Sequence, residues 1–168
     1  MDGGSTDAAH GAEDRGAAVP GRPRPAGSGR RFAPKAEVRI LRHVTINDWS
    51  DSIQVAELHN DPAFADDMGV LANAYQRVAD ELKAGHPGVR AKDLVLDLRH
   101  VQFLNSSNIA QLLRVRKLAL LAGARIRVCS VSDRIWGVLL ATDLDRIFDF
   151  SEDVTTSLAQ LQMARQSG

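Results

Sequence analysis

From residue 36 onward, segments with the apolar spacing of a strand alternate with segments that have the apolar spacing of a helix. Residues 52–58 alternate polar and apolar side chains, which is the pattern of a half-buried strand. Residues 93–98 form a short apolar run flanked by charge, which is typical of a strand covered on both faces. Residues 125–129 and 145–150 predict two more strands. An earlier strand or hairpin arm is predicted from spaced apolar residues, namely Val38, Ile40, Val44 and Ile46.

Segments with helical spacing separate these strands. One helix follows a break in which Asp61 is placed to cap and Pro62 to open a helix, and its helical spacing is clearest over residues 70–83. A second is predicted over residues 107–122, with Ser107 as its cap. The last two helices follow predicted caps at Ser132 and Ser151. Strands that alternate with helices at this spacing predict an α/β fold with parallel crossovers.

Composition divides the chain into two parts. At 168 residues, with 44% hydrophobic side chains, the chain is long enough for one domain with a true core. Residues 1–35 are dominated by Gly, Ala, Pro, Ser and Arg, and such a segment is expected to be a disordered tail because it buries too little apolar surface. Its basic second half is open to two interpretations, a solvated tail or an arm that touches acidic surfaces. Residues 36–168 are predicted to form the folded domain.

Charge and hydropathy exclude several classes of partner. The 21 basic and 21 acidic residues cancel, which argues against a general nucleic-acid binder. No apolar stretch approaches the roughly 20 residues of a membrane helix, and the N-terminus lacks the apolar segment of a secretory signal. We therefore expect a soluble, cytoplasmic protein without membrane insertion.

Enzyme and metal signatures are not found in the sequence. A single cysteine, Cys129, excludes an internal disulfide framework and a multi-cysteine zinc site. The sequence has no nucleophile elbow, phosphate loop or dinucleotide fingerprint, so we predict no enzyme and no cofactor. We predict no metal site either, because no two histidines show His-x-x-x-His spacing and none follows a glutamate at Glu-x-x-His spacing. The five histidines are at positions 10, 43, 59, 86 and 100.

Four features in order carry a family resemblance. A strand closes with Asp97-Leu98, residues 101–107 place an apolar pair before Asn105-Ser106-Ser107, residues 122–128 pass from helix through glycine to strand, and residues 131–148 end in Phe148. Together they resemble the STAS domain of bacterial anti-sigma factor antagonists. The resemblance implies a small, mostly parallel or mixed sheet of four to five strands, with helices mainly on one side.

The resemblance also implies a function, which is partner switching. In that family the serine at the position of Ser106 is phosphorylated by an anti-sigma factor with serine kinase activity. The unphosphorylated form binds this kinase and frees its sigma factor. The chain departs from the family pattern at two positions, since Asn105 stands where Asp is usual and Asn108 where Gly is usual.

These considerations predict a protein-binding module for a serine-kinase-type anti-sigma factor, with Ser106 as phospho-acceptor and Asp97 as a structural support. The sequence also leaves a weak homodimer open. Two alternatives stay open: a non-phosphorylated STAS scaffold subunit of a signalling or membrane-transport assembly, and a small-ligand or nucleotide-binding domain that uses a pocket near Asp97. The predicted partner-binding residues are Asn105, Ser106, Ser107, Asn108, Gln111 and Arg114.

Overall fold

The computed structural model describes residues 45–86 and 88–167. The predicted tail and the early apolar positions Val38, Ile40 and Val44 lie outside these residues, so what the sequence predicts for them stays a prediction. Ile46 lies in the first described strand.

The described residues form one five-stranded mixed sheet with four α-helices. The strands lie in chain order across the sheet; β1 is antiparallel to β2, and the other neighbours are parallel. The predicted α/β class and strand number are thus confirmed. The elements are β1 (Thr45–Asp48), β2 (Ile53–His59), α1 (Ala63–Lys83), β3 (Asp93–His100), α2 (Ser106–Leu121), β4 (Ile126–Cys129), α3 (Asp133–Ala141), a 3₁₀ helix (Leu144–Arg146), β5 (Asp149–Ser151) and α4 (Val154–Gln166).

Two cores lie on opposite faces of the sheet, because successive side chains of a strand point to opposite faces. Leu94 and Leu96 of β3 join the larger core, which is closed by α1, α2 and α3. Val95, between them, joins the smaller core with Leu158 and Leu161 of α4. Three helices therefore cover one face and one covers the other, which confirms that the helices lie mainly on one side.

Two predicted helix caps are wrong. Helix α1 begins at Ala63, directly after Pro62 and ahead of the segment 70–83 where its spacing is clearest; Pro62 is in the cap position and no side chain caps the helix, so Asp61 does not cap it. Helix α2 begins at Ser106, and its cap is Asn105 rather than Ser107. The Asp61 carboxylate bonds instead to the asparagine amides at the start of α2.

The starts of β5 and α4 also differ from prediction, whereas the start of α3 agrees with it. Strand β5 begins at Asp149, because the 3₁₀ helix and the residues that follow it occupy the first part of the segment predicted as strand. Asp153, not Ser151, caps α4 and accepts a hydrogen bond from the Thr156 N–H at 2.7 Å. The predicted cap at Ser132 is confirmed, since its hydroxyl accepts from the Ile135 N–H.

Candidate functional site

The loops after β2 and β3 meet at one edge of the sheet. Both strands are parallel, so their carboxyl ends lie at the same edge, where binding sites of α/β sheets form. The Gln102 N–H donates a hydrogen bond of 2.8 Å to the Asn60 side chain across the two loops. This bond joins the loop before α1 to the loop that leads into α2.

A reciprocal pair of asparagines fixes the start of α2. The Asn105 side-chain oxygen accepts from the Asn108 N–H at 2.9 Å, and the Asn108 side-chain oxygen accepts from the Asn105 N–H at 3.0 Å. Each asparagine thereby satisfies one backbone donor that a helix start leaves unpaired. The two family departures thus form a capping box, with Asn105 in extended backbone geometry.

Asp61 brings a carboxylate to this cap from the other loop. Its Oδ2 accepts from the Asn105 amide at 3.0 Å, and its two oxygens accept from the Asn108 amide at 3.1 and 3.0 Å. Hydrogen bonds to an ionised acceptor are stronger than neutral ones. An acidic group therefore lies beside the segment 105–108, although position 105 itself is an amide.

Ser106 and Ser107 are the first two residues of α2, and both are exposed. Neither hydroxyl forms a hydrogen bond with any residue that the structure describes. The first turn of the helix contains no acidic residue. The Ser106 hydroxyl is therefore accessible, at the positive end of the helix dipole.

The other predicted partner-binding residues differ in exposure. Three of them, Ser107, Gln111 and Arg114, share one face of α2 because they are four and then three residues apart. Arg114 is exposed, and Gln111 is half-buried. Asn108 is 2% exposed, and its side chain forms hydrogen bonds with the Asn105 N–H and the Asp61 carboxylate. The structure therefore brings Asn105, Ser106 and Ser107 together at the surface and places Asn108 beneath them.

Asp97 lies near the end of β3 and is buried. Its Oδ1 accepts from the Arg99 N–H at 3.0 Å, and its Oδ2 lies 3.4 Å from the Arg99 guanidinium. These contacts hold the end of the strand that leads toward Ser106. Two cavities of the described domain, of about 390 and 370 Å³, are lined by other residues than Asp97.

Asp67 is a buried carboxyl group that the sequence analysis missed. It is fully buried on α1, and neither carboxylate oxygen has a hydrogen-bond partner among the described residues. Burial, followed by the charge of Asp66, raises the pKa of Asp67 to about 7. Its helical spacing from the core residues Phe64 and Leu71 is the sequence signal that places it on the buried face.

No helix within the described residues is long and apolar enough to span a membrane. Comparison of the sequence with curated proteins gives no significant match.

Solved structures with the same fold include two bacterial proteins. An anti-sigma-factor antagonist (STAS) domain protein from Planctomyces limnophilus is 18% identical, with a TM-score of 0.56 over 71% of this chain and 97% of that one. A serine-to-glutamate variant of RsbS from Moorella thermoacetica is 19% identical, with a TM-score of 0.51 over 73% and 97% of the two chains. At such identities the likeness establishes the fold.

The family model for the STAS domain matches residues 39–157, which include all five strands, α1 to α3 and the start of α4. The match covers most of the chain and agrees with the resemblance carried by residues 93–161. This chain belongs to the STAS domain family.

Proposed function

We propose that this chain is a bacterial cytoplasmic regulator that binds a kinase-type anti-sigma factor and releases it when Ser106 is phosphorylated. The observation that carries the proposal is the exposed Ser106 at the first position of α2, next in sequence to Asn105, whose amide donates to the Asp61 carboxylate. The STAS family membership makes protein binding the expected activity, and no catalytic step by this chain is required.

The start of α2 is suited to carry a phosphate without unfolding. A seryl phosphate adds a charge of about −1.5 to −2 and three strong acceptors. The first backbone N–H groups of a helix lack intrahelical partners, and the dipole there favours an anion. No acidic residue in the first turn of α2 opposes the added charge from within the helix. The phosphate would therefore act mainly on a docked partner, through repulsion and desolvation.

Asp61 supports the proposal by replacing a missing charge. The family resemblance associates an aspartate with the position of Asn105, which would provide a negative charge beside the acceptor serine. Here the Asp61 carboxylate lies 3.0 Å from the Asn105 amide. The setting of Ser106 thus keeps an acidic group, now contributed by the loop after β2.

The exposed side of α2 offers a mixed surface for the partner. Ser107, Gln111 and Arg114 provide polar contacts along one face, while Leu113 and Leu120 are 37% and 50% exposed on the same helix. Protein interfaces combine an apolar centre with a polar rim, and arginine is enriched in them. Within this proposal, Asn105 contributes at the edge and the buried Asn108 supports it from beneath, whereas Asp97 holds the end of β3 through its contacts with Arg99.

We expect Ser106→Asp to lose the partner in affinity capture from an extract of the source cells. The wild-type chain should retrieve a protein with a serine kinase domain, identified by mass spectrometry. The aspartate variant should retrieve at least about tenfold less, which corresponds to about 1.4 kcal/mol of binding free energy. Its melting temperature should stay close to wild type, because the helix dipole accepts the charge.

The matched control is Thr155→Asp, which adds the same charge at an exposed position in the first turn of α4. This variant should retrieve the kinase as well as wild type does. Equal retrieval by all three chains would contradict the switch and favour the constitutive scaffold. A melting temperature that falls together with retrieval would show misfolding instead of a switch.

A further inference from the structure

A second cluster of polar side chains lies on β2 and β3. Glu57 and His59 are two residues apart on β2, so their side chains point to the same face of the sheet. His100, the last residue of β3, is the register partner of His59. Three groups that can ligate metal ions therefore meet where these two strands end.

The distances within this cluster are short. The His100 Nε2 lies 2.7 Å from the Glu57 Oε1. The rings of His59 and His100 are stacked, with centroids 5.0 Å apart and an interplanar angle of 8°. One ligand atom from each of the three residues lies within 4.8 Å of the other two. Small side-chain rotations would bring them to the separations needed around one ion, whose bonds to N and O ligands are about 2.0–2.2 Å.

An unpaired nitrogen indicates that the cluster lacks a partner. The His59 Nδ1 is buried and has no hydrogen-bond partner among the described residues. Buried polar atoms are normally paired, so such an atom calls for an explanation. Glu57 and His59 are half-buried, while His100 is exposed, which leaves the cluster open to solvent on one side.

We propose that Glu57, His59 and His100 form a binding site for a divalent transition-metal ion of the zinc class. Two imidazoles and one carboxylate suit Zn²⁺, whereas Mg²⁺ and Ca²⁺ prefer oxygen ligands alone. Three protein ligands leave a fourth position for water, on the exposed side of His100.

The charges around the cluster are compatible with a cation. Glu57 contributes one negative charge, and Asp97 is its register partner on β3. The guanidinium of Arg99, the residue before His100, lies 3.4 Å from Asp97, so this positive charge is paired with a carboxylate. This site does not depend on partner binding through α2. It differs from the sequence expectation of no metal site, which used residue types and their spacing along the chain and not the pairing of β2 with β3.

Calorimetric titration of the full chain with zinc chloride tests the site. The wild-type chain should bind one equivalent of Zn²⁺ in a component that both His100→Gln and His59→Gln weaken at least tenfold. His86→Gln is the matched control, because His86 is an exposed histidine outside the cluster, and it should bind as wild type does.

Cobalt(II) provides a second readout, since its visible absorption reports the ligands and the geometry directly. The wild-type chain and His86→Gln should show the same cobalt spectrum, and His100→Gln should lose it while keeping the wild-type circular dichroism. Absence of binding to wild type, or zinc binding that is equal in wild type, His100→Gln and His59→Gln, would overturn the proposal.

Discussion

At pH 8, Asp67→Asn is expected to raise the free energy of unfolding by about 2–4 kcal/mol. Asp67 is fully buried without a hydrogen-bond partner among the described residues, and its pKa is raised from 3.8 to about 7, mainly by burial. Each pKa unit corresponds to about 1.4 kcal/mol, so ionising the carboxyl group in the folded state costs roughly 4 kcal/mol. Asparagine has a similar shape and stays neutral, although its amide also lacks a partner and offsets part of the gain.

The sign of the pH dependence follows from the direction of the shift. Because the folded state holds the Asp67 proton more tightly than the unfolded state does, the contribution of this group is most favourable at or below pH 3.8. That contribution is lost as the pH rises toward about 7, and it changes little above that value. The asparagine variant lacks this decline, so the stability difference between the two chains should grow between about pH 4 and pH 7.

Urea denaturation of both chains between pH 5 and pH 8 measures this difference. Asp66→Asn is the matched control, because Asp66 is the exposed carboxylate one position earlier on α1. This control should shift the unfolding free energy only slightly, by removing the charge that also raises the pKa of Asp67. Parallel stability curves for wild type and Asp67→Asn would show that Asp67 is ionised without penalty.

Asp61→Ala should lower the free energy of unfolding by about 2 kcal/mol. The change removes all three hydrogen bonds that Asp61 accepts, and it leaves the buried Asn108 amide without these acceptors. Leaving a buried donor unpaired costs about 1–3 kcal/mol. The amide protons in the first turn of α2 should also exchange faster, since Asn105 and Asn108 lose the group that orients them.

Urea denaturation and hydrogen exchange check this prediction. Asp51→Ala, at an exposed position before β2, removes a carboxylate from the same half of the chain and should leave both measurements unchanged. If Asp61→Ala is as stable as wild type and exchange at α2 is unaltered, Asp61 is a surface residue whose bonds water replaces.

The sequence allowed the fold to be predicted because its signals are local. The apolar run of β3, the alternation in β2 and the serine cap of α3 each depend on neighbouring residues, and each is confirmed. The sequence predicts the cap of α2 at Ser107, two residues after the observed cap at Asn105, because Asn and Ser are both good helix caps and residue type alone does not decide between them.

The sites depend on contacts that the sequence pattern does not encode. Asp61 bonds to Asn108 across 47 positions of the chain, and Asp61 looked like a cap for its own helix. The cluster of Glu57, His59 and His100 depends on the register between β2 and β3, including the irregularity between Glu57 and His59. Asp67 lies at helical spacing from core residues of α1, but charged residues are rarely buried, so its residue type predicts an exposed position.

Phosphorylation of Ser106 by the bound partner is the central claim, and mass spectrometry tests it directly. The complex captured with the wild-type chain is incubated with Mg-ATP, and the position of any phosphate is determined alongside the fraction of chain released. We predict one phosphate, at Ser106, together with release of the partner, and neither in a complex captured with Ser106→Ala. A phosphate on Ser107 instead, or release that is equal with Ser106→Ala, would contradict the claim.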